Sequence, residues 1–117
     1  MKPLLSIALF LTLTTACGHS AKHTAALESL KKLDAHTQTG VVRPKYLELL
    51  GDAKYAVNSL PQAGDEVADR MRAAMSAFED ADRTWGELGY EGNSSLIRAS
   101  WKRARARIEE TEELMKQ

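Results

Sequence analysis

His19 and His23 stand four residues apart, a spacing that puts both imidazoles on one face of a helix, where they could chelate a metal ion. Two ligands are half of a tetrahedral site, and His36 is more than three turns away, so a polar tether accounts for the pair better. Met71 and Met75 share that spacing and could offer soft thioethers to copper or haem iron. Both also fall on or beside an apolar helical seam, where packing explains them. Glu109 and Glu113, one turn apart, have the spacing of a calcium or acid/base pair, but nothing around them points to burial, and a solvated face is expected. Lys54 and Asn58 could form a polar patch, or either could satisfy a loop carbonyl. Arg98, Lys102, Arg103, Arg105 and Arg107 form a basic block that, with Trp101 among them, has the chemistry of a nucleic-acid or phosphate contact. The chain has no Gly-rich phosphate loop, nucleophile elbow, His-Glu helix motif or Cys/His dyad. No constellation fills the roles of a catalyst, so a non-enzymatic protein without cofactor or metal is expected.

Length and composition narrow the choices further. The chain has 117 residues, 16 Lys+Arg against 16 Asp+Glu, and one Cys. That is one small domain. Its balanced charge exerts no global pull on nucleic acid or acidic polymers. A single cysteine excludes a disulfide framework, a zinc knuckle and c-type haem attachment.

The elements that must position these residues are helices. Beyond residue 16 the only valines and isoleucines are Val41, Val42, Val57, Val67, Ile97 and Ile108, too few to build a sheet, and no stretch alternates with period two. Apolar residues instead step by threes and fours. The first series is Ala26, Leu30 and Leu33, helped by Leu27, and the second Tyr46, Leu50, Ala53, Val57 and Leu60. The third is Val67, Met71, Ala74, Phe78, Ala81, Trp85 and Leu88, and the fourth Ile97, Trp101, Ala104, Ile108, Thr111 and Met115. Such seams predict an all-α, small antiparallel bundle of about four helices, or a three-helix core with a looser first helix.

Punctuation agrees with that division. Gly40 suits the C-terminal cap of the first helix, and Pro44 the first turn of the second. Val42 and Leu47 have the spacing of a hydrophobic staple. Pro61 ends the second helix, and Gly64 or Asp65 starts the third. Residues 89–94 form a loop, with Ser94 as the next N-cap. Charge then predicts how the last two helices meet. The fourth is basic early and acidic late (Glu109, Glu110, Glu112, Glu113), against its own macrodipole. The third, with Arg70 and Arg72 early and Glu79, Asp80, Asp82 and Glu87 late, complements it. Folding back at 89–94 brings Asp80 toward Arg103, Glu79 toward Arg105 and Arg70 toward Glu113, an internal use of the basic block that needs no outside partner.

Residues 1–16 read as an address outside this fold. Lys2 supplies a positive n-region, and the uncharged apolar run Leu4–Leu13 is about half the ~20 residues that span a bilayer, as in a signal-peptide h-region. The run closes with Leu13-Thr14-Thr15-Ala16-Cys17, which resembles the lipobox of bacterial lipoproteins, with Leu13 one place ahead of the usual leucine. An ordinary secretory site is the alternative, and both are cut after Ala16.

The resemblance implies a lipidated, N-acylated Cys17. Its domains would be a signal peptide at 1–16, the lipidated cysteine and a short tether at 17–22, and a bundle at 23–117. Gly18, in place of the aspartate that retains such proteins in the inner membrane, implies the outer membrane of a bacterial envelope, facing the periplasm or the cell surface. The remainder loosely resembles small uncharacterised helical proteins of bacteria, which implies no activity. The expected role is an envelope interaction or accessory module, with a membrane and an envelope protein as partners and no nucleic acid. Expected contacts are Tyr55, Tyr90, Arg98, Lys102 and Arg105, tyrosine and arginine being enriched in interfaces. The alternative is a bundle holding a lipid, haem or metal in a cavity among Met71, Met75, Phe78 and Trp101.

Overall fold

The structure, a computed structural model, describes residues 20–61, 64–89 and 94–117. Cys17, His19 and Tyr90 lie outside these. Four helices follow one another: α1 (Ala21–Thr39), α2 (Arg43–Asn58), α3 (Glu66–Leu88) and α4 (Ser95–Met115), and no strand occurs among the described residues. The chain is all-α. Each helix packs beside its neighbour in sequence, α4 returns to lie along α1, and α1 and α3 approach across the diagonal. Antiparallel α1 is a full member of the bundle: Ala26, Leu30 and Leu33 are each 0 % exposed. Complete burial of such a leucine is worth roughly 1.5–3 kcal/mol, which resolves the looser-first-helix alternative against itself.

Each boundary has a local cause. Ser20 caps α1, so the helix starts at Ala21, inside the stretch expected to be tether. Gly40 ends it at φ 104°, a conformation that L side chains rarely adopt. Pro44 lies in the first turn of α2, where its missing N–H has no intrahelical role. Asp65 caps α3 and Ser94 caps α4, each accepting a backbone N–H three residues on. The Val42–Leu47 staple does not form. Val42 is itself the N-cap residue and is 69 % exposed, and Val41, one place earlier, packs on the core instead.

The seams hold through the middle of the bundle and fray at its ends. Every seam residue of α1 and α2 is buried, whereas Val67 and Met115 are half-buried and Leu88 is exposed. Helix length explains this: α3 runs about 35 Å and α2 about 24 Å, so the ends of α3 outreach their neighbour. Rings from three helices meet within the core. Tyr46 of α2 lies against Trp85 of α3 and Trp101 of α4, with ring centroids 5.5 and 5.7 Å away, and the two indoles meet edge-on at 6.1 Å. The Tyr46 hydroxyl donates to the Phe78 carbonyl (2.7 Å) and accepts from Trp101 Nε1 (3.1 Å), bridging α2 and α4. Burial pushes this hydroxyl's pKa well above the usual tyrosine value, against the bond from Trp101 and with help from the Asp82 charge. At the same level Gly86 makes room for Arg43: a Cβ there would sit 3.1 Å from Nη2 of the guanidinium that pairs with Asp82.

Charge sets the register of α3 and α4, with one expected contact formed and two re-routed. Asp80 meets Arg103 at 3.8 Å, as expected. Arg70 reaches Glu110 at 3.3 Å, one turn short of Glu113, which pairs with Lys116. Glu79 turns to Lys54 of α2 (3.3 Å), and Arg105 turns to Asp34 of α1. The rotation of α4 about its own axis, which sequence spacing leaves free, brings Arg105 beside α1.

Candidate functional site

The densest polar arrangement lies at the end where α1 and α3 begin. Ser20 and His23 form a capping box: Ser20 Oγ accepts the His23 backbone N–H (3.3 Å), and His23 Nδ1 faces the Ser20 backbone N–H (3.3 Å) and hydroxyl (2.7 Å). Histidine here fills the place that glutamate or glutamine usually takes. The other ring nitrogen, Nε2, lies 2.6 Å from Asp65 Oδ2, and Asp65 Oδ1 accepts the Ala68 N–H at 3.1 Å. Because Nδ1 faces a backbone donor, it accepts, and Nε2 donates to Asp65. The cap of α1 is thereby wired to the cap of α3, through a histidine that is 6 % exposed.

Burial works to raise the Asp65 pKa. The N–H of Ala68 and the bond and charge of His23 outweigh it and hold the carboxyl below its ordinary value. Serine, histidine and aspartate are also the residue types of a nucleophilic triad, but the connectivity is that of two caps. Ser20 Oγ is itself engaged by the His23 N–H, and Asp65 holds the α3 terminus. The arrangement positions the first turns of two helices against each other.

Beside this end, α1 and α2 form an open, mostly apolar groove of about 420 Å³. Lys22, Ala25 and Ser29 form one wall and Asp52, Tyr55, Ala56 and Ser59 the other. Tyr55 is 80 % exposed, more open than any other large apolar side chain among the described residues. It sits one turn before the end of α2 and so faces outward from the seam that carries Ala53 and Val57.

The remaining residues singled out by sequence divide by depth. Met71, Met75, Phe78 and Trp101 are all core residues, each at most 7 % exposed, and Trp101 lies against Trp85 and Tyr46. Lys102 and Arg98 are exposed near the start of α4. Arg105 is half-buried, its Nε 3.0 and 3.3 Å from the two carboxylate oxygens of Asp34, which is 8 % exposed and also accepts from Gln38. That pairing takes Arg105 out of the exposed set. His36 Nδ1 lies 2.9 Å from the Lys32 carbonyl on its own helix. Glu109 is exposed, as is Glu113. Lys54 pairs with Glu79, and Asn58 is the exposed last residue of α2. Among the described residues no group of three His, Cys, Asp or Glu could hold a metal, and no helix is long and apolar enough to cross a membrane.

Sequence reasoning treated His23 as half of a metal pair or as tether, and the structure places it in the core's edge instead. Its partner is 42 residues away, beyond any local pattern. The one available signal was Ser20-x-x-His23 ahead of the apolar series beginning at Ala26. The chain matches no protein-family model, no curated protein and no solved structure.

Proposed function

We propose that this chain is a lipid-anchored protein of the bacterial envelope, held through Cys17, with the outer membrane favoured, and that it works as a helical interaction or accessory module rather than as a catalyst. The observation that carries this reading is a spacing. Ser20 caps α1, so only Gly18 and His19 separate the lipobox cysteine from the folded bundle. A thioether-linked lipid at Cys17 would therefore hold the capped end against the membrane, with the start of α4, and with it Arg98 and Lys102, at the opposite end.

The test begins with mass spectrometry of the amino-terminal peptide of the mature protein. A diacylglyceryl, N-acylated Cys17 is expected, with membrane association lost in Cys17→Ala. An unmodified thiol, or equal membrane association of both forms, overturns the anchor. Crosslinking in intact cells then addresses the role: a stoichiometric protein partner recovered with the anchored form only supports an accessory module, and lipid without protein argues against it.

A second reading, a bundle that binds a small ligand, draws on one observation. Trp85 is 4 % exposed and its Nε1 has no acceptor among the described residues, a buried donor beside the Tyr46 and Trp101 rings. Native mass spectrometry of the purified chain would show a bound non-protein mass if an acceptor-bearing ligand occupies that place. A bare protein mass removes this reading.

A further inference from the structure

His23 is the one buried histidine among the described residues, and its two ring nitrogens serve different helices. Nδ1 meets the start of α1, through the Ser20 N–H at 3.3 Å and hydroxyl at 2.7 Å. Nε2 meets the start of α3, through Asp65 at 2.6 Å. These two attachments answer a proton in opposite ways. A neutral ring has one donor and one acceptor nitrogen, and a protonated ring has two donors and no acceptor. Nε2 donates in both states, and protonation turns its bond to the carboxylate into a charge-assisted pair. Nδ1 accepts only in the neutral state. Once protonated it faces the Ser20 N–H donor to donor, and the backbone half of the capping box is lost. The Ser20 hydroxyl can accept the ring N–H, but it cannot give the Ser20 N–H an acceptor. The ring's positive charge then also lies at the positive end of the α1 dipole.

We propose that His23 is a proton-operated latch on the first turn of α1: protonation at Nδ1 releases residues 20–22 from the helix, while Nε2 keeps His23 on Asp65. Asp65 is the charged group that an ion pair joins to the ring. Burial works to raise its pKa, but the Ala68 N–H and the bond and charge of His23 hold it below its ordinary value. It therefore stays ionised where histidine ordinarily changes charge. The other charges around this corner have partners of their own. On α3 Glu66 pairs with Arg70 and Asp69 with Arg72, and on α4 Glu112 pairs with Lys31 of α1 and Glu113 with Lys116. Lys22 and Glu28 of α1 are exposed, as are Asp52 and Tyr55 of α2, whose last residue, Asn58, does not titrate. With the anchor proposed at Cys17, release moves the fixed point of the tether from Ser20 to His23. Its extended reach then grows from at most about 11 Å to about 22 Å. The latch itself does not depend on that anchor.

The test is nuclear magnetic resonance of the purified, nitrogen-labelled chain between about pH 8 and pH 5. Ring-nitrogen shifts are expected to show Nδ1 passing from acceptor to N–H as the pH falls. With the same midpoint, the amides of Ser20, His23 and Thr24, each bonded within this turn, should lose exchange protection several-fold. Ala68, whose N–H is held by Asp65, should keep its protection. His23→Gln retains a capping box, since glutamine is a usual partner at that position, but it carries no titrating ring. Its amides should hold one level of protection throughout. A His23 ring that does not change charge in this range overturns the latch. So does a ring that titrates while the three amides keep or gain protection. Loss at Ala68 together with the three overturns the one-sided release, because the bond to Asp65 has then opened too. A pH dependence that persists in His23→Gln belongs to another group and overturns the assignment to His23. None of these outcomes changes with the presence or absence of lipid at Cys17.

Discussion

Around Tyr46, three helices are joined by rings in contact; along α1, the attachments to the rest of the bundle combine a short apolar seam with two polar ties. The aromatic cluster links α2, α3 and α4 through large buried surfaces and needs one hydroxyl to complete it. Helix α1 buries Ala26, Leu30 and Leu33, and is then fixed by His23–Asp65 to α3 and by Asp34–Arg105 to α4. The difference lies in what each kind of contact specifies. Burial of rings stabilises strongly but without direction, whereas a cap-to-cap bond or a carboxylate–guanidinium fork fixes how far one helix slides or rotates against another. The bundle therefore places its bulk in one half and its registration in the other.

The sharpest way to break that contrast is to remove a ring. Trp101→Ala should cost about 3–5 kcal/mol in chemical denaturation, more than any single polar change along α1. Arg105→Ala comes next, at about 2 kcal/mol, because it leaves Asp34 buried without its cation. The double variant Asp34→Asn, Arg105→Ala should recover part of that loss, and simple additivity of the two changes would show that the pair is not coupled.

A third measurement sharpens the comparison with pH. Asp65 is held below its ordinary pKa in the folded chain, so its contribution to stability is complete above the unfolded value of about 3.9 and is lost as pH falls through the folded value. Melting temperatures recorded from pH 6 down to pH 2 should therefore fall less steeply in Asp65→Asn than in the parent. Identical slopes would mean that the tie to His23 contributes nothing to the folded state. The smallest effect is expected for Asp80→Ala, under ~1 kcal/mol, since its bridges to Arg83 and Arg103 are exposed and screened.

What could be read in advance followed the same division. The seams from Leu30 to Ile108 were legible because burial of apolar side chains obeys helical period alone, and the caps at Ser94, Gly40 and Pro44 because each meets a local backbone need. Asp80–Arg103 was legible because the charge patterns along α3 and α4 complement each other when the two helices are folded together. The pairing of Arg105 with Asp34 was not, since it depends on where α1 lies beside α4, and no spacing within either helix encodes that. His23 was hidden for the same reason. Its residue type suggested metal chemistry, and its actual partner is supplied by a different helix terminus. Tyr55 stood out correctly as off the seam, but the groove around it needs both α1 and α2 to exist.

The capping box at Ser20 and His23 also has a mechanical meaning. A pull applied to the chain ahead of residue 20 would act along α1 from its first turn, the place where an isolated helix starts to unravel. Because His23 is clasped by Asp65 in that same turn, the load passes at once into α3, the longest helix, which is packed along its length against α4. Tension from that side is thus resisted in shear by the bundle as a block, not by peeling one helix away turn by turn.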